Sequence, residues 1–287
     1  MNSASAISPE VDGLQHALSL LERDFPERSV AVEGGTVSYR EIAAKDDNVP
    51  VIVLLHGIGS GAASWLPCAL ELAREARVIA WNAPGYGNSS QLPQARPSAA
   101  NYASRLRQML QALGIARCVL VGHSLGALTA CAYAATHAAT LDRLILLSPA
   151  RGYGAPARLE QGAAVARERL ATLAELGVYG TATQRSGRLL SDRAGVTQRD
   201  WVRWNMAQLH APGYVQAVHL LCGDAIENYA PQGVPAAVYC GSADSITVPD
   251  DCSTVAVHFG LPFALIANAG HACYVEQPES TARAILN

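Results

Sequence analysis

Four short apolar runs, each ending in a turn-forming loop, constrain this chain more than any other feature. They are "VPVIVLLHG" (49–57), "ARVIAWNAPGYG" (76–87), "RCVLVGHS" (117–124) and "LDRLILLSP" (141–149). A strand with one wet face alternates apolar and polar residues. An unbroken run of branched side chains is buried on both faces, as in a parallel sheet covered by helices on either side. Helical patterns separate the runs. Residues 99–113 place Tyr102, Leu106, Met109, Leu110 and Leu113 on one face, with Ser98 as cap and Gly114 as stop. A small-residue helix follows Ser124 to about residue 137. Ahead of them lie a helix over 10–23, with Val11, Leu14, Ala17, Leu18 and Leu21 on its apolar face, and a hairpin turning at Gly34-Gly35. The expected fold class is α/β, with a mostly parallel twisted sheet flanked by helices.

The segment 151–230 has a different character. "RLEQGAAVARERLATLAELG" and "TQRDWVRWNMAQLH" read as helices, and Pro212-Gly213 punctuates a third. The strand pattern then returns in "PAAVYCG" (235–241) and "FALIANAGH" (263–271). The expected organisation is a core of residues 1–150 and 231–287, with 151–230 inserted after the sixth strand as a helical lid.

Composition narrows the function classes. The chain has 287 residues, half of them hydrophobic, enough for one sizeable core. Its 21 basic and 24 acidic residues give a net charge of −3, with no basic stripe for nucleic acid and no cationic amphipathic stretch for a membrane surface. Seven cysteines occur without a C-x-x-C pair, which argues against a zinc knuckle or redox motif and suits buried thiols in a reducing compartment. No basic start precedes a long apolar run, and no apolar run approaches the roughly 20 residues that span a bilayer. The expectation is a cytoplasmic protein acting on a small molecule, without cofactor or metal. Oligomeric state stays open, a homodimer included.

The candidate chemistry begins at Ser124. It is the centre of G-x-S-x-G, Gly122 to Gly126, between a buried strand and an Ala-rich helix. Chance supplies about 0.14 such matches in a chain of this composition, so the context matters more than the pattern. Strand–turn–helix is what a nucleophile elbow requires, and glycines on either flank let the chain bend hard enough to expose the hydroxyl. A serine needs a base. Of eight histidines, His271 alone follows the last strand onto the rim that Ser124 shares. His123 reads as structural and His56 as a loop-shaping residue. The imidazole needs a carboxylate, and Asp244, in the loop after "PAAVYC", is the best placed; Glu276 is a candidate supporting group. Asp250 and Asp251 read as first-turn acids of the next helix. The nearly bulk-free loop "HGIGSGAASW" could donate to an oxyanion, the best donors being the N–H groups of Ile58 and Leu125. Trp65, Trp201 and Trp204 are the aromatic candidates for substrate contact, with a place in the core as the other reading. Arg193 and Arg203 are single arginines that could meet a carboxylate. "GYGNSS" lacks the third glycine and the helix start of a dinucleotide loop.

The order Ser…Asp…His, each after a strand, carries a resemblance. "LLHGIGSGAASW", "NAPGYGNSS", "VGHSLGA", "GSADSITVP" and "NAGHACYVEQPE" stand in the order of five landmarks of the α/β-hydrolase superfamily, which the chain resembles over nearly its whole length. The resemblance implies Ser124 as nucleophile, His271 as base, Asp244 as orienting acid and 151–230 as the cap. Asn82 departs from the Asp common at its position, which usually stabilises a loop. Ser at 124 separates the chain from members with an aspartate nucleophile. The pattern is similar to carboxylesterases, enol-lactone hydrolases and carbon–carbon bond hydrolases of aromatic degradation. The last usually carry an aromatic after the catalytic His, where this chain has Ala272. The expected activity is serine-dependent cleavage of an ester, lactone or related carbonyl bond. The alternatives are carbon–carbon bond hydrolysis, acyl transfer and ligand binding without turnover.

Overall fold

The apolar runs form the inner strands of one sheet. The structure, a computed structural model, describes residues 9–44, 46 and 48–287. The first eight residues, on which the expectation about a leader partly rests, lie outside the described residues, as does the side chain of Val11. The strands are β1 (Glu27–Val32), β2 (Gly35–Ile42), β3 (Val51–Leu55), β4 (Arg77–Trp81), β5 (Cys118–His123), β6 (Leu141–Leu147), β7 (Ala236–Gly241) and β8 (Phe263–Ile266). Their order is β1-β2-β4-β3-β5-β6-β7-β8. The β1–β2 and β2–β4 pairs are antiparallel, and every pair from β4 onward is parallel.

Period-two alternation sends successive side chains to opposite faces. Val53, Leu55, Leu120, Leu146 and Val238 join one core cluster, which contains Leu106 and Met109 of α3 (Ala99–Ala112), Leu128 of α4 (Leu125–His137) and Val255 of α8 (Pro249–Phe259). Ile52, Leu54, Val121 and Ile145 join the other, with Leu21 of α1 (Pro9–Asp24), Leu66 of α2 (Leu66–Leu72) and Ile285 of α10 (Pro278–Leu286). Both faces are buried, which is why these strands read as continuous apolar runs. All seven cysteines are free thiols, six of them buried.

Between β6 and β7 run α5 (Leu159–Arg185), α6 (Val196–Ala207) and α7 (Ala211–Gly223). α5 breaks at Gly177, whose φ is 64°. The expected helix over 158–177 is thus its first arm, and a second arm continues to residue 185. No described helix is long and apolar enough to cross a membrane.

Asn82, just beyond β4, ties the loops of the rim together. Its Oδ1 accepts from the Ala62 N–H at 2.9 Å, and its Nδ2 donates to Ser38 Oγ at 2.9 Å and to Glu27 Oε1 at 3.2 Å. The amide supplies the acceptor on one atom and the donor on the other that these partners need. Asn82→Asp would turn the donor into a carboxylate oxygen facing Glu27. The expected outcome is a loss of about 2 kcal/mol at neutral pH, read as a lower urea midpoint with an unchanged slope.

Candidate active site

β5 ends at His123, and α4 starts at Leu125. The single residue between them, Ser124, has φ 53° and ψ −117°. A non-glycine residue in that region is strained and persists only where its surroundings over-determine it. The surroundings do so here. Ser124 N–H donates to the Leu147 carbonyl at 3.0 Å, and its carbonyl accepts from Ala127 at 3.0 Å and Ala150 at 3.1 Å. The flanking glycines permit the close approach. A Cβ at Gly122 would stand 2.6 Å from Ala127 Cα, and one at Gly126 would overlap the Leu55 carbonyl of β3.

His271 lies beyond β8 on the same rim. Its Nδ1–H donates to Asp244 Oδ2 at 2.9 Å, and both side chains are almost wholly buried. In a neutral ring that bond leaves Nε2 as the nitrogen that can accept a proton. The other Asp244 oxygen accepts from the N–H groups of Ile246 at 2.8 Å and Thr247 at 3.1 Å. Thr247 Oγ1 stands 3.0 Å from Asp244 Oδ2. Burial by itself would raise the Asp244 pKa. Attraction to His271, the bond from its ring and the Ile246 N–H outweigh it and hold the carboxyl well below the usual range.

Two neighbours hold the chain at and just before His271. His123 Nε2–H donates to the His271 carbonyl at 2.9 Å, and its ring packs among Trp65, Tyr274 and His271. Burial keeps His123 neutral, its pKa well below the ordinary value. Glu276, in α9 (Cys273–Glu276), accepts from Gly270 N–H at 2.6 Å and from the N–H and hydroxyl of Ser191. The proposed support by Glu276 thus acts on the chain before His271 and not on the ring.

The loop after β3 is set by His56. Its Nε2 accepts from Ala83 N–H at 3.0 Å, so Nδ1–H donates to the Gly57 carbonyl at 2.8 Å. Tyr86 Oη–H donates to the Ile58 carbonyl at 3.0 Å. The N–H groups of Ile58 and Leu125 meet no protein acceptor among the described residues. Both residues line a cavity of about 290 Å³ with Ser124 and His271. The Ser124 and His271 side chains are not hydrogen-bonded to each other. Among the described residues no three His, Cys, Asp or Glu side chains cluster as a metal site.

The sequence matches the family model of the alpha/beta hydrolase fold over residues 50–278. The chain belongs to that family. A protein of Enterobacter cloacae, provisionally named carbamate hydrolase RutD, is 29% identical over 257 residues, 84% of this chain and 91% of that protein. The enol-lactonase of Burkholderia xenovorans LB400 superposes with a TM-score of 0.77 at 23% identity, covering 90% of this chain and 98% of its own. A thermophilic esterase of Thermogutta terrifontis superposes with a TM-score of 0.76 at 24% identity, covering 91% and 96%. The likeness to these two structures is one of fold.

Within this hydrolase fold, the tryptophan expectations need correction. None of the three lines the cavity. Trp65 is fully buried and stacks on Tyr274 at 4.1 Å between ring centroids. Trp201 is buried, donates to the Ser64 carbonyl at 3.4 Å and stacks on Trp204. Their bulk fills the space between α6 and the core. Arg193 and Arg203 do not line the cavity either; Arg203 pairs with Asp200. Five other arginines do, namely Arg151, Arg158, Arg169, Arg185 and Arg188. They are spread over residues 151–188, four of them in or beside α5, so no basic run announces them. The one readable hint is the 11-residue spacing of Arg158 and Arg169, about three helical turns.

Two outcomes are expected. Glu276→Gln keeps the shape but offers one acceptor oxygen to three donors, and should cost about 2 kcal/mol by urea denaturation. The second concerns pH. Burial lowers the His56 pKa from its ordinary 6.5 to about 4. The unfolded chain therefore takes up a proton between pH 6.5 and 4 that the folded chain refuses. His56 alone should remove about 3 kcal/mol of stability across that window, with nothing further below it. His123 acts in the same direction, whereas Asp244 contributes only once pH falls below its unfolded pKa of about 3.9. Urea midpoints from pH 7 to pH 4 read the slope.

Proposed function

We propose that the chain is a serine hydrolase that cleaves an ester, lactone or related carbonyl bond of a small, partly hydrophobic molecule through an acyl-enzyme. One observation carries the reading. Ser124, strained at φ 53°, shares a cavity with a histidine whose Nδ1–H is held by Asp244 and with two N–H groups that have no protein acceptor among the described residues. Ser124 Oγ attacks the carbonyl carbon while His271 Nε2 takes its proton. Asp244 holds the tautomer and steadies the imidazolium. The N–H groups of Ile58 and Leu125 bind the oxyanion. His271 then protonates the leaving group and activates the water that releases the acyl group.

Residues 151–230 act in this reading as the cap, since Arg169, Arg188, Leu189, Met206 and Tyr214 close the cavity from their side. The names of the similar proteins favour a carbonyl bonded to a heteroatom, as in a carbamate, enol-lactone or ester. The test is hydrolysis of a short p-nitrophenyl ester. Ser124→Ala should lower turnover by as much as roughly 10⁶-fold. Full activity in that variant overturns the assignment.

A further inference from the structure

The charges lining the cavity do not balance. Five arginines face one acidic lining residue, Asp251, in a chain whose net charge is −3. Three of the five have carboxylate partners. Glu227 Oε1 accepts from Arg151 Nη2 at 2.8 Å and from Arg158 Nη2 at 2.9 Å, and Glu168 pairs with Arg185 at 3.1 Å. Arg169 and Arg188 have no ion pair among the described residues. Arg169 donates to the Tyr214 hydroxyl at 3.1 Å, and its Nε is buried without a partner among the described residues. Arg188 is exposed and lies just beyond α5.

A guanidinium cannot lose its proton in a protein, so a partly buried one without a counter-charge is costly to keep. The expense is offset when a ligand brings the missing charge. A planar fork of N–H groups suits a carboxylate in particular. We propose that the substrate carries a carboxylate, held by Arg169 and Arg188 on the α5 side of the cavity while its scissile carbonyl meets Ser124. The proposal rests on the reading of this cavity as the substrate site and adds the substrate's charge to it. Arg151 and Arg158, sharing one carboxylate, add a further net positive charge to the same wall.

Binding tests it without turnover. Glutarate and its neutral isostere glutaramide are titrated calorimetrically into the full chain carrying Ser124→Ala. Glutarate should bind roughly tenfold or more tightly, and the preference should shrink as salt rises. Arg169→Gln with Arg188→Gln should abolish it. Arg188→Gln alone, at an exposed position, should reduce it and guards against misfolding of the double variant. Glutarate binding no tighter than glutaramide overturns the proposal, as does a preference that survives both substitutions. In the wild-type chain, mono-p-nitrophenyl glutarate should exceed p-nitrophenyl acetate in kcat/KM by a similar factor. Failure to turn over either ester would count against the serine-hydrolase reading, while the binding comparison still decides the proposal about charge.

Discussion

The close approach of α4 to the end of β3 is the constraint on which the rest of the site depends. At Gly126 the helix backbone meets the Leu55 carbonyl with no room for a Cβ, and at Gly122 the strand meets the first turn of α4 in the same way. That crowding forces the chain through Ser124 at φ 53°. The strain is borne by three backbone hydrogen bonds, from β6, from Ala150 just beyond it and from the turn itself. The same approach brings the Leu125 N–H and the loop of Ile58 to one cavity. A serine presented this way stands free of the sheet while its backbone is fixed by it.

Asp244 and His271 are held differently. Ser124 is positioned by strand and helix, but Asp244 and His271 sit on loops, and their geometry comes from buried hydrogen bonds. Asp244 is gripped by the N–H groups of Ile246 and Thr247, the His271 carbonyl is held by His123, and the Gly270 N–H before it by Glu276. Glu276 also reaches Ser191, in the segment between α5 and α6. The loop bearing His271 is thereby coupled to a stretch of chain whose neighbours Arg188 and Leu189 line the cavity. In a low-dielectric setting such a network is worth more than its separate bonds, and losing one member leaves donors stranded.

The fold was legible because its determinants are local and periodic. Unbroken apolar strands, a capped α3 and glycines around Ser124 each signal in short stretches of chain. The positions of Ser124, Asp244 and His271 were readable for a related reason. In a parallel sheet the strand ends share a rim, so a residue just after a strand has a known place. The arginines were not readable. Arg169 and Arg188 are separated by a helix break at Gly177 whose direction no periodicity reports. Trp201 and Trp204 left two readings open because an aromatic three residues from another on a helix fits a core wall and a ligand wall alike, and the structure places them against the core.

By itself the sequence determined the class of fold, the strand–turn–helix around Ser124 and the order of the three polar residues along the chain, since these follow from spacing and from what glycine permits. Only the tertiary structure decided which side chains face the cavity, that Trp65, Trp201 and Trp204 are packed away from it, and that five arginines spread over residues 151–188 converge on it. Burial and electrostatic balance are properties of what surrounds a residue in space. The chain supplied the guanidinium groups, and packing placed them together.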